Sequence, residues 1–528
     1  MREVVLVEVD PSADVGADDD AVVGAHDGTA AAGDAPPGPP DGRRDGSWAR
    51  RARWWTAAAA SLTLAVVANG LVANHREDAR LAALASVSGV LAPLDGPVRE
   101  LWRSDAQLFT GLAGSDGALF GVENDFASGR VDVVAVDPVT GADLWRFPAR
   151  PGDPTAAADS ALTGFGGAQC AFPGPLLPAD RADAGAGPTI ACVVTDEVAT
   201  LTDADFGTTS YPVRSHLLVL DATKGAVVAN RPTDVTTAVA WLGADLVTAT
   251  VDPDGHVRVT RSEGFGPANR WTFTSDETVG TGELMPPSVW VGVVGDLLAI
   301  GSNGSSAAAG DAPTGGGSWL LAADGDVVRS LTGQLGSGYG WGINVLAGGT
   351  LFAEAAPADD GGASQTRIID AATGRSFTTA GYPTAGQPDD GSLAGLILMQ
   401  TESGELVAVD LSTGRPTWSA PNPGGAPVVV LDGRVLRIES DALTSTDGRT
   451  GKTIWTTPIE PTDNGSLVTD GLVALLTQRE PAGDVNLTAF GLDDGARRWQ
   501  TPLTSELWLS AINGQLYGWP GQGVVALG

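Results

Sequence analysis

From about residue 98 to the end, apolar and polar residues alternate in short runs broken by Asp, Gly, Asn or Pro. Period-2 runs bounded by turn formers predict β-strands joined by tight turns. The stretch Leu406 to Trp418, LVAVDLSTGRPTW, shows the unit most clearly: a run around Leu406, Ala408 and Val409, then Asp410, then Gly414 four residues on and Trp418 four beyond that. The same Asp-to-Gly spacing recurs at Asp137/Gly141, Asp221/Gly225, Asp370/Gly374 and Asp447/Gly451. Trp145 and Trp455 repeat the Gly-to-Trp spacing, and Gly495/Trp499 keeps only that second half. An Asp carboxylate can cap backbone N–H groups inside a turn, and Gly closes it with a positive φ at no steric cost. A single antiparallel sheet cannot bury both of its faces, so units recurring at about 40 residues or more predict radially stacked sheets, an all-β propeller.

The segments VDPVTGADLW, VDLSTGRPTW and STDGRTGKTIW resemble the tryptophan-docking repeat of pyrroloquinoline-quinone-like (quinoprotein-like) β-propellers, and the resemblance covers roughly residues 98–528. Repeat ends are clear at Trp145, Trp418, Trp455 and Trp499 and weaker at Ala229, Trp271, Arg329 and Thr378. With a terminal unit these make nine, whereas the resemblance implies seven or eight blades. Eight blades are favoured, seven or nine stay open, and the unit in question lies between Ala229 and Arg329. Residues 98–103, VRELWR, look like the tail of a repeat, and residues 506–528 look like three strands lacking a fourth. The two ends are therefore expected to share a blade, which closes the ring and removes exposed edges. First-to-second turns are expected to be tight, as at Leu431–Gly433 and Asn513–Gly514. Second-to-third connections are expected to be long and variable: Glu123–Gly129, Thr202–Tyr211, Ser302–Gly317, Ala356–Ser364 and Glu480–Asp484.

The first hundred residues read differently. Residues 1–53 are rich in Ala, Gly, Asp and Pro and predict a disordered cytoplasmic segment. Residues 54–73 form an apolar stretch whose only strongly polar member is Asn69, preceded by Arg43, Arg44, Arg50, Arg51 and Arg53. That length crosses a bilayer as one helix, and the arginines place the amino terminus inside. Residues 74–97 predict a helical stalk with Leu81, Leu84 and Val87 on one face, and residues 98–528 an extracytoplasmic propeller. A cleaved signal peptide is the competing reading of 54–73.

The chain's net charge is −33, of which residues 1–53 contribute −5 through eleven acids and six arginines, leaving about −28 for the remainder. Such a surface repels a phosphate backbone, so no nucleic-acid partner is expected. Cys170 and Cys192 are the only cysteines, and outside the cytoplasm a disulfide is the natural reading, two separate buried thiols the alternative. No metal site is expected: Asp252, Asp254 and Gly255 begin like a calcium loop but lack its later ligands. His216 and His256 stand alone, and Asp359/Asp360 reads as a solvated pair rather than a catalytic dyad. The resemblance implies that enzymatic relatives hold pyrroloquinoline quinone and calcium in a central funnel with a bridge between adjacent cysteines, a feature absent here. It also includes non-enzymatic scaffolding rings. The leading reading is thus a membrane-anchored, extracytoplasmic ring that binds a protein or cell-envelope partner, with no catalytic residues assigned and no cofactor expected. A quinoprotein-like dehydrogenase or other propeller enzyme and a ligand-binding envelope sensor are the alternatives.

Overall fold

The computed structural model describes residues 75–528 except 105–116, 126–127, 153–166, 173–187, 204–206, 280–286, 304–315, 334–342, 347–349, 357–364, 385–387, 461–465, 480–482 and 521–522. The chain divides into two units at Ala73/Asn74, and all described residues belong to the second. Residues 1–53 and the predicted span 54–73 lie outside the described residues, as does most of the predicted connections Ser302–Gly317, Ala356–Ser364 and Glu480–Asp484. Among the described residues, no helix is long and apolar enough to cross a membrane.

The strands follow the predicted punctuation. β1 (Glu100–Ser104) stands apart from its sequence neighbours. The first sheet holds β2 (Leu119–Asp125), β3 (Arg130–Val136) and β4 (Asp143–Arg150), and the second β5 (Ala168–Ala171), β6 (Thr189–Asp203), β7 (Gly207–Asp221) and β8 (Val227–Thr233). The third holds β9 (Ala238–Leu242), β10 (Asp245–Val251), β11 (His256–Ser262) and β12 (Asn269–Thr278), and the fourth β13 (Ser288–Val294), β14 (Leu297–Asn303), β15 (Gly316–Ala322) and β16 (Val327–Gly333). Then come β17 (Ile343–Leu346), β18 (Leu351–Ala356), β19 (Gln365–Asp370) and β20 (Ser376–Ala380), followed by β21 (Tyr382–Pro383), β22 (Leu396–Gln400), β23 (Glu405–Asp410) and β24 (Pro416–Pro421). The seventh and eighth sheets are β25 (Val428–Leu431), β26 (Arg434–Ile438), β27 (Ala442–Asp447), β28 (Thr453–Pro458) and β29 (Leu467–Thr469), β30 (Val473–Arg479), β31 (Val485–Gly491), β32 (Arg497–Leu503). The ninth is β33 (Trp508–Ile512), β34 (Gln515–Trp519) and β35 (Val524–Leu527), completed by β1. β1 pairs antiparallel with β35, and Arg99 and Gly528 exchange two backbone hydrogen bonds of 3.0 Å, so the two ends share a blade as expected.

Each sheet buries apolar side chains against the next, and the last against the first. Val133 meets Cys192 and Leu218 between sheets one and two, and Val219 meets Leu246 between two and three. Val259 packs with Leu298, Leu320 with Phe352, Ile368 with Met399 and Leu406 with Val430. Leu436 packs with Leu476, Leu487 with Leu509, and Tyr517 with Val134, which closes the circle. Middle strands flanked on both faces are buried almost without interruption, as in β31, while outer strands such as β28 and β20 keep an alternation of half-buried and exposed positions. The ring therefore has nine blades, and the preference for eight is corrected: the weak units ending at Ala229, Trp271 and Arg329 are all separate sheets. Their signatures are weak because two of them lack an aromatic at the docking position. The inter-sheet apolar packing that makes a blade does not need one.

Residues 75–84 form a helix, α1, whose following segment runs along the turns between first and second strands. Arg80 donates to Asp432 at 2.7 Å and to the Gly471 carbonyl at 2.9 Å, in the turns of blades seven and eight. Leu84 and Val90 are buried in the cluster between those blades. Leu91 N donates to Thr469 O at 2.8 Å, Leu94 N to Asp470 at 3.0 Å and Ala92 N to Gly514 O at 2.7 Å, in blades eight and nine. Those turns are tight, but two other first-to-second connections are not: β5 to β6 spans Phe172–Pro188 and β21 to β22 spans Thr384–Gly395.

Candidate binding face

The predicted repeat residues share one local geometry. Asp410 Oδ1 accepts from the backbone N–H groups of Ser412 and Thr413, both at 2.8 Å, and Gly414 N donates to Asp410 O at 2.7 Å. Asp137, Asp221, Asp370 and Asp447 cap their turns in the same way, and Gly141, Gly225, Gly374, Gly414, Gly451 and Gly495 have φ between 64° and 72°. Donors in the turn hold these carboxyls below the usual aspartate range, chiefly the hydroxyl of Ser412 at Asp410, Thr450 at Asp447 and Thr223 at Asp221. Backbone N–H groups of Thr140 and Thr373 dominate at Asp137 and Asp370. The tryptophan of one blade then docks on the turn of the next. Trp418 Nε1 donates to Gly448 O at 2.8 Å, Trp145 to Ala222 O at 2.8 Å, Trp455 to Leu492 O at 2.9 Å, and Trp102 to Pro138 O at 2.9 Å. A methyl group on Gly451 would lie 2.6 Å from Trp418, and one on Gly225 2.6 Å from Trp145. Trp499 has no such partner turn because blade nine joins its third and fourth strands across the chain ends; it packs instead among Leu487 and Leu507. In blade five Phe377 takes the indole's place, 2.7 Å from a methyl built on Gly414.

A family model described as "Outer membrane protein assembly factor BamB" matches residues 254–501, a little under half of the chain. That match agrees with the turn-and-dock geometry running from Trp102 to Trp455. Over residues 254–501 the chain matches that family, and its fold is similar to a PQQ-like β-propeller. Solved structures similar to this propeller include BamB from Moraxella catarrhalis, 15% identical over 63% of this chain and 99% of that one, TM-score 0.36. The computationally designed Ika8 protein is 10% identical over 81% and 99%, TM-score 0.37. A europium-containing methanol dehydrogenase is 12% identical over 75% and 85%, TM-score 0.35. No curated protein sequence matches the chain.

Among the described residues, no three His, Cys, Asp or Glu side chains gather as a metal site. Cys170 and Cys192 are bonded to each other, directly opposite across β5 and β6 and 22 residues apart in sequence, so the bridge pins the long connection 172–188. Asp252 caps a hairpin turn through the N–H groups of Asp254 and His256, the role a turn aspartate needs. His256 Nδ1 faces the Ser275 carbonyl at 2.8 Å and His216 Nδ1 faces Asp196 at 2.8 Å. Asp359 and Asp360 lie outside the described residues.

A polar cavity of about 280 Å³, which the sequence reading missed, opens beside the first blade's second-to-third connection, lined by Glu123, Asp125, Arg130, Asp132 and Arg146. Asp132 is buried and pairs with Arg130 at 2.9 Å and Arg146 at 3.1 Å; Arg146 also bonds Asp143 at 2.9 Å and Glu123. The available signal was Asp132 itself, a charge inside the otherwise apolar run of β3. Its partners complete an internal ion-pair network, so the cavity wall is already satisfied.

The two faces of the propeller differ. On one, α1 and residues 85–98 occupy the first-to-second turns of blades seven to nine. The other carries the second-to-third and blade-to-blade connections, where Asp234, Asp254, Glu277, Glu402, Asp441 and Asp484 are exposed. From it rises a two-stranded arm. The predicted loop Thr202–Tyr211 is in fact mostly strand: β6 and β7 stay paired to Asp203↔Gly207, while β5 stops pairing at Val194 and β8 at Ser215. Among the described strands no other exceeds ten residues.

Proposed function

We propose that the chain is a single-pass, membrane-anchored propeller that works as a binding scaffold outside the cytoplasm, and that a protein or cell-envelope partner docks on the face bearing the second-to-third connections. The observation that carries this reading is the asymmetry of the faces: the tight-turn side of blades seven to nine is filled by the chain's own residues 75–98, whereas the opposite side presents the longest paired strands among the described residues and exposed carboxylates. Long connections on a rigid scaffold are where recognition resides. The family description, an assembly factor, agrees with a scaffold. Anchoring by residues 54–73 follows from their apolar length and the preceding arginines.

The test is co-purification of the tagged full chain from membranes. Shortening Ser302–Gly317 and Ala356–Ser364 is expected to weaken capture of a partner without unfolding the ring, whereas charge changes at Asp137 or Asp447 leave capture intact. Capture abolished only by the turn changes in a still-folded chain refutes the choice of face. The dehydrogenase reading is tested separately by adding pyrroloquinoline quinone and calcium to the purified chain and recording the quinone's absorption. A stoichiometric spectral change with electron transfer to a dye would replace the scaffold reading.

A further inference from the structure

We infer that the tight-turn end of blades seven, eight, nine and one rests on the lipid surface of the membrane that anchors the chain, through exposed apolar side chains and unpaired basic groups at that end. This deepens the anchored reading above and rests on it. The argument begins with where the chain comes from. The proposed span ends at Ala73 and α1 begins at His75. By Arg80 the chain is fixed to the ring through Asp432 and the Gly471 carbonyl, and Leu84 is buried between blades seven and eight. Five residues of helix rise about 8 Å. No long tether separates the span from the turns that α1 grips, so those turns belong at the bilayer. Residues 432–433, 448–452, 470–472, 492–496 and 513–514, which make the turns at this end of blades seven to nine, are all described, as is the 137–141 turn of blade one.

These turns and the strand starts beside them expose apolar groups. Val139 is 76% exposed in the blade-one turn, and Leu472 is exposed in the blade-eight turn. Leu101, Leu144 and Ile454 are exposed as well, each second in its outer strand and each just before a docked tryptophan. Alternation along a strand turns these three away from the neighbouring turn that the indole covers. Exposed apolar groups gathered at one end of a ring mark a protein or membrane contact, and the course of α1 selects the membrane. The charges agree. Asp432, Asp493 and Asp494 are paired with Arg80, Arg434 and Arg498, whereas Lys452, Arg497 and, in adjoining blade six, Arg415 are exposed and form no ion pair among the described residues. The opposite end carries the exposed carboxylates of Asp234, Asp254, Glu277 and Asp441. An anionic lipid surface attracts the first end and repels the second, so the field and the apolar groups favour one orientation. The face bearing the second-to-third connections then points away from the membrane, toward a partner.

The test uses the full chain reconstituted in vesicles of phosphatidylcholine and phosphatidylglycerol that contain nitroxide-labelled lipid. Because Cys170 and Cys192 are bonded to each other, one added cysteine can carry an environment-sensitive fluorophore. Labels at Val139→Cys and Leu472→Cys are expected to be quenched by the lipid nitroxide, and a label at Asp441→Cys, at the opposite end of blade seven, is expected not to be. Lys452→Glu with Arg497→Glu is expected to lower the quenching at residue 472 several-fold, and so is omission of phosphatidylglycerol. Release of the chain from the vesicles by alkaline carbonate defeats the anchored reading and the inference with it. A chain that stays with the vesicles yet shows no quenching at residues 139 and 472, or as much at residue 441, leaves the anchor standing and overturns the inference.

Discussion

Truncating Trp418 tests the docking logic on which the ring depends. Its side chain is 8% exposed, packs among Leu406, Val428 and Val430, and donates its only N–H to Gly448 O at 2.8 Å. Deleting a buried aromatic costs about 3 to 5 kcal/mol. Unfolding entropy is about 2 cal/mol/K per residue, so for a ring of about 450 residues one kcal/mol corresponds to about 1 °C. Trp418→Ala is thus expected to lower the melting temperature by roughly 3 to 5 °C in a scanning calorimeter. Trp418→Phe keeps most of the apolar area but leaves the Gly448 carbonyl without its donor, costing about 1 to 2 kcal/mol. Trp508, 55% exposed on β33, is the control: its truncation is expected to cost about half as much or less. A Cβ on Gly451 would meet both the Cβ and the Cγ of Trp418 at 2.6 Å, so Gly451→Ala is expected to stay damaging in the Trp418→Ala background, where the Cβ of residue 418 and the φ of 72° still oppose it. A melting temperature unmoved by Trp418→Ala refutes docking as a source of stability.

Other expectations follow from the same geometry. Reducing the Cys170–Cys192 bridge should destabilise the ring by about 3 kcal/mol in the chain-entropy account of a 22-residue separation; free thiol at both positions in non-reduced denatured protein would remove the premise. Because Asp137, Asp221, Asp370, Asp410 and Asp447 have folded pKa values below the ordinary 3.8, their contribution is present above that value and lost as pH falls through the folded ones. Replacing all five by Asn, which still caps a turn, should flatten the melting temperature against pH below about pH 4, and an unchanged slope would place the acid sensitivity elsewhere. Protease added to intact cells should remove a carboxy-terminal tag and spare an amino-terminal one; the reverse pattern defeats the proposed topology.

Blades six and seven were legible residue by residue, because an Asp–Gly turn and a docked tryptophan are local in sequence: Asp410, Gly414 and Trp418 lie within nine positions, and so do Asp447, Gly451 and Trp455. Blades two and four were faint because Ala229 and Arg329 stand where the indole belongs, and the packing that makes them blades is between strands remote in sequence, such as Val219 against Leu246. The apolar stripe of Leu81, Leu84 and Val87 was visible, but not what it packs on. Leu84 lies against Gly471, almost 400 residues away, and no local pattern encodes that contact.

The faces were the hardest to read, since the sequence marks where a strand ends only when a turn former stands there. The run from Thr195 to Ser215 has Asp, Gly, Pro and Ser scattered through it and reads as loop from Thr202, yet cross-strand pairing carries β6 and β7 as far as Asp203↔Gly207. Tertiary pairing thus overrides weak local signals in the segment that distinguishes one side of the ring. On the opposite side an extended segment with ordinary stalk-like sequence ties blades eight and nine together through backbone bonds to Thr469 and Gly514, and Arg80 of α1 reaches Asp432 of blade seven. Both features rest on backbone hydrogen bonds, and backbone groups carry no residue signature. A turn aspartate or a docked indole announces itself in the sequence; a strand prolonged by pairing with its neighbour does not, which is why the candidate binding face emerges only once the pairing is known.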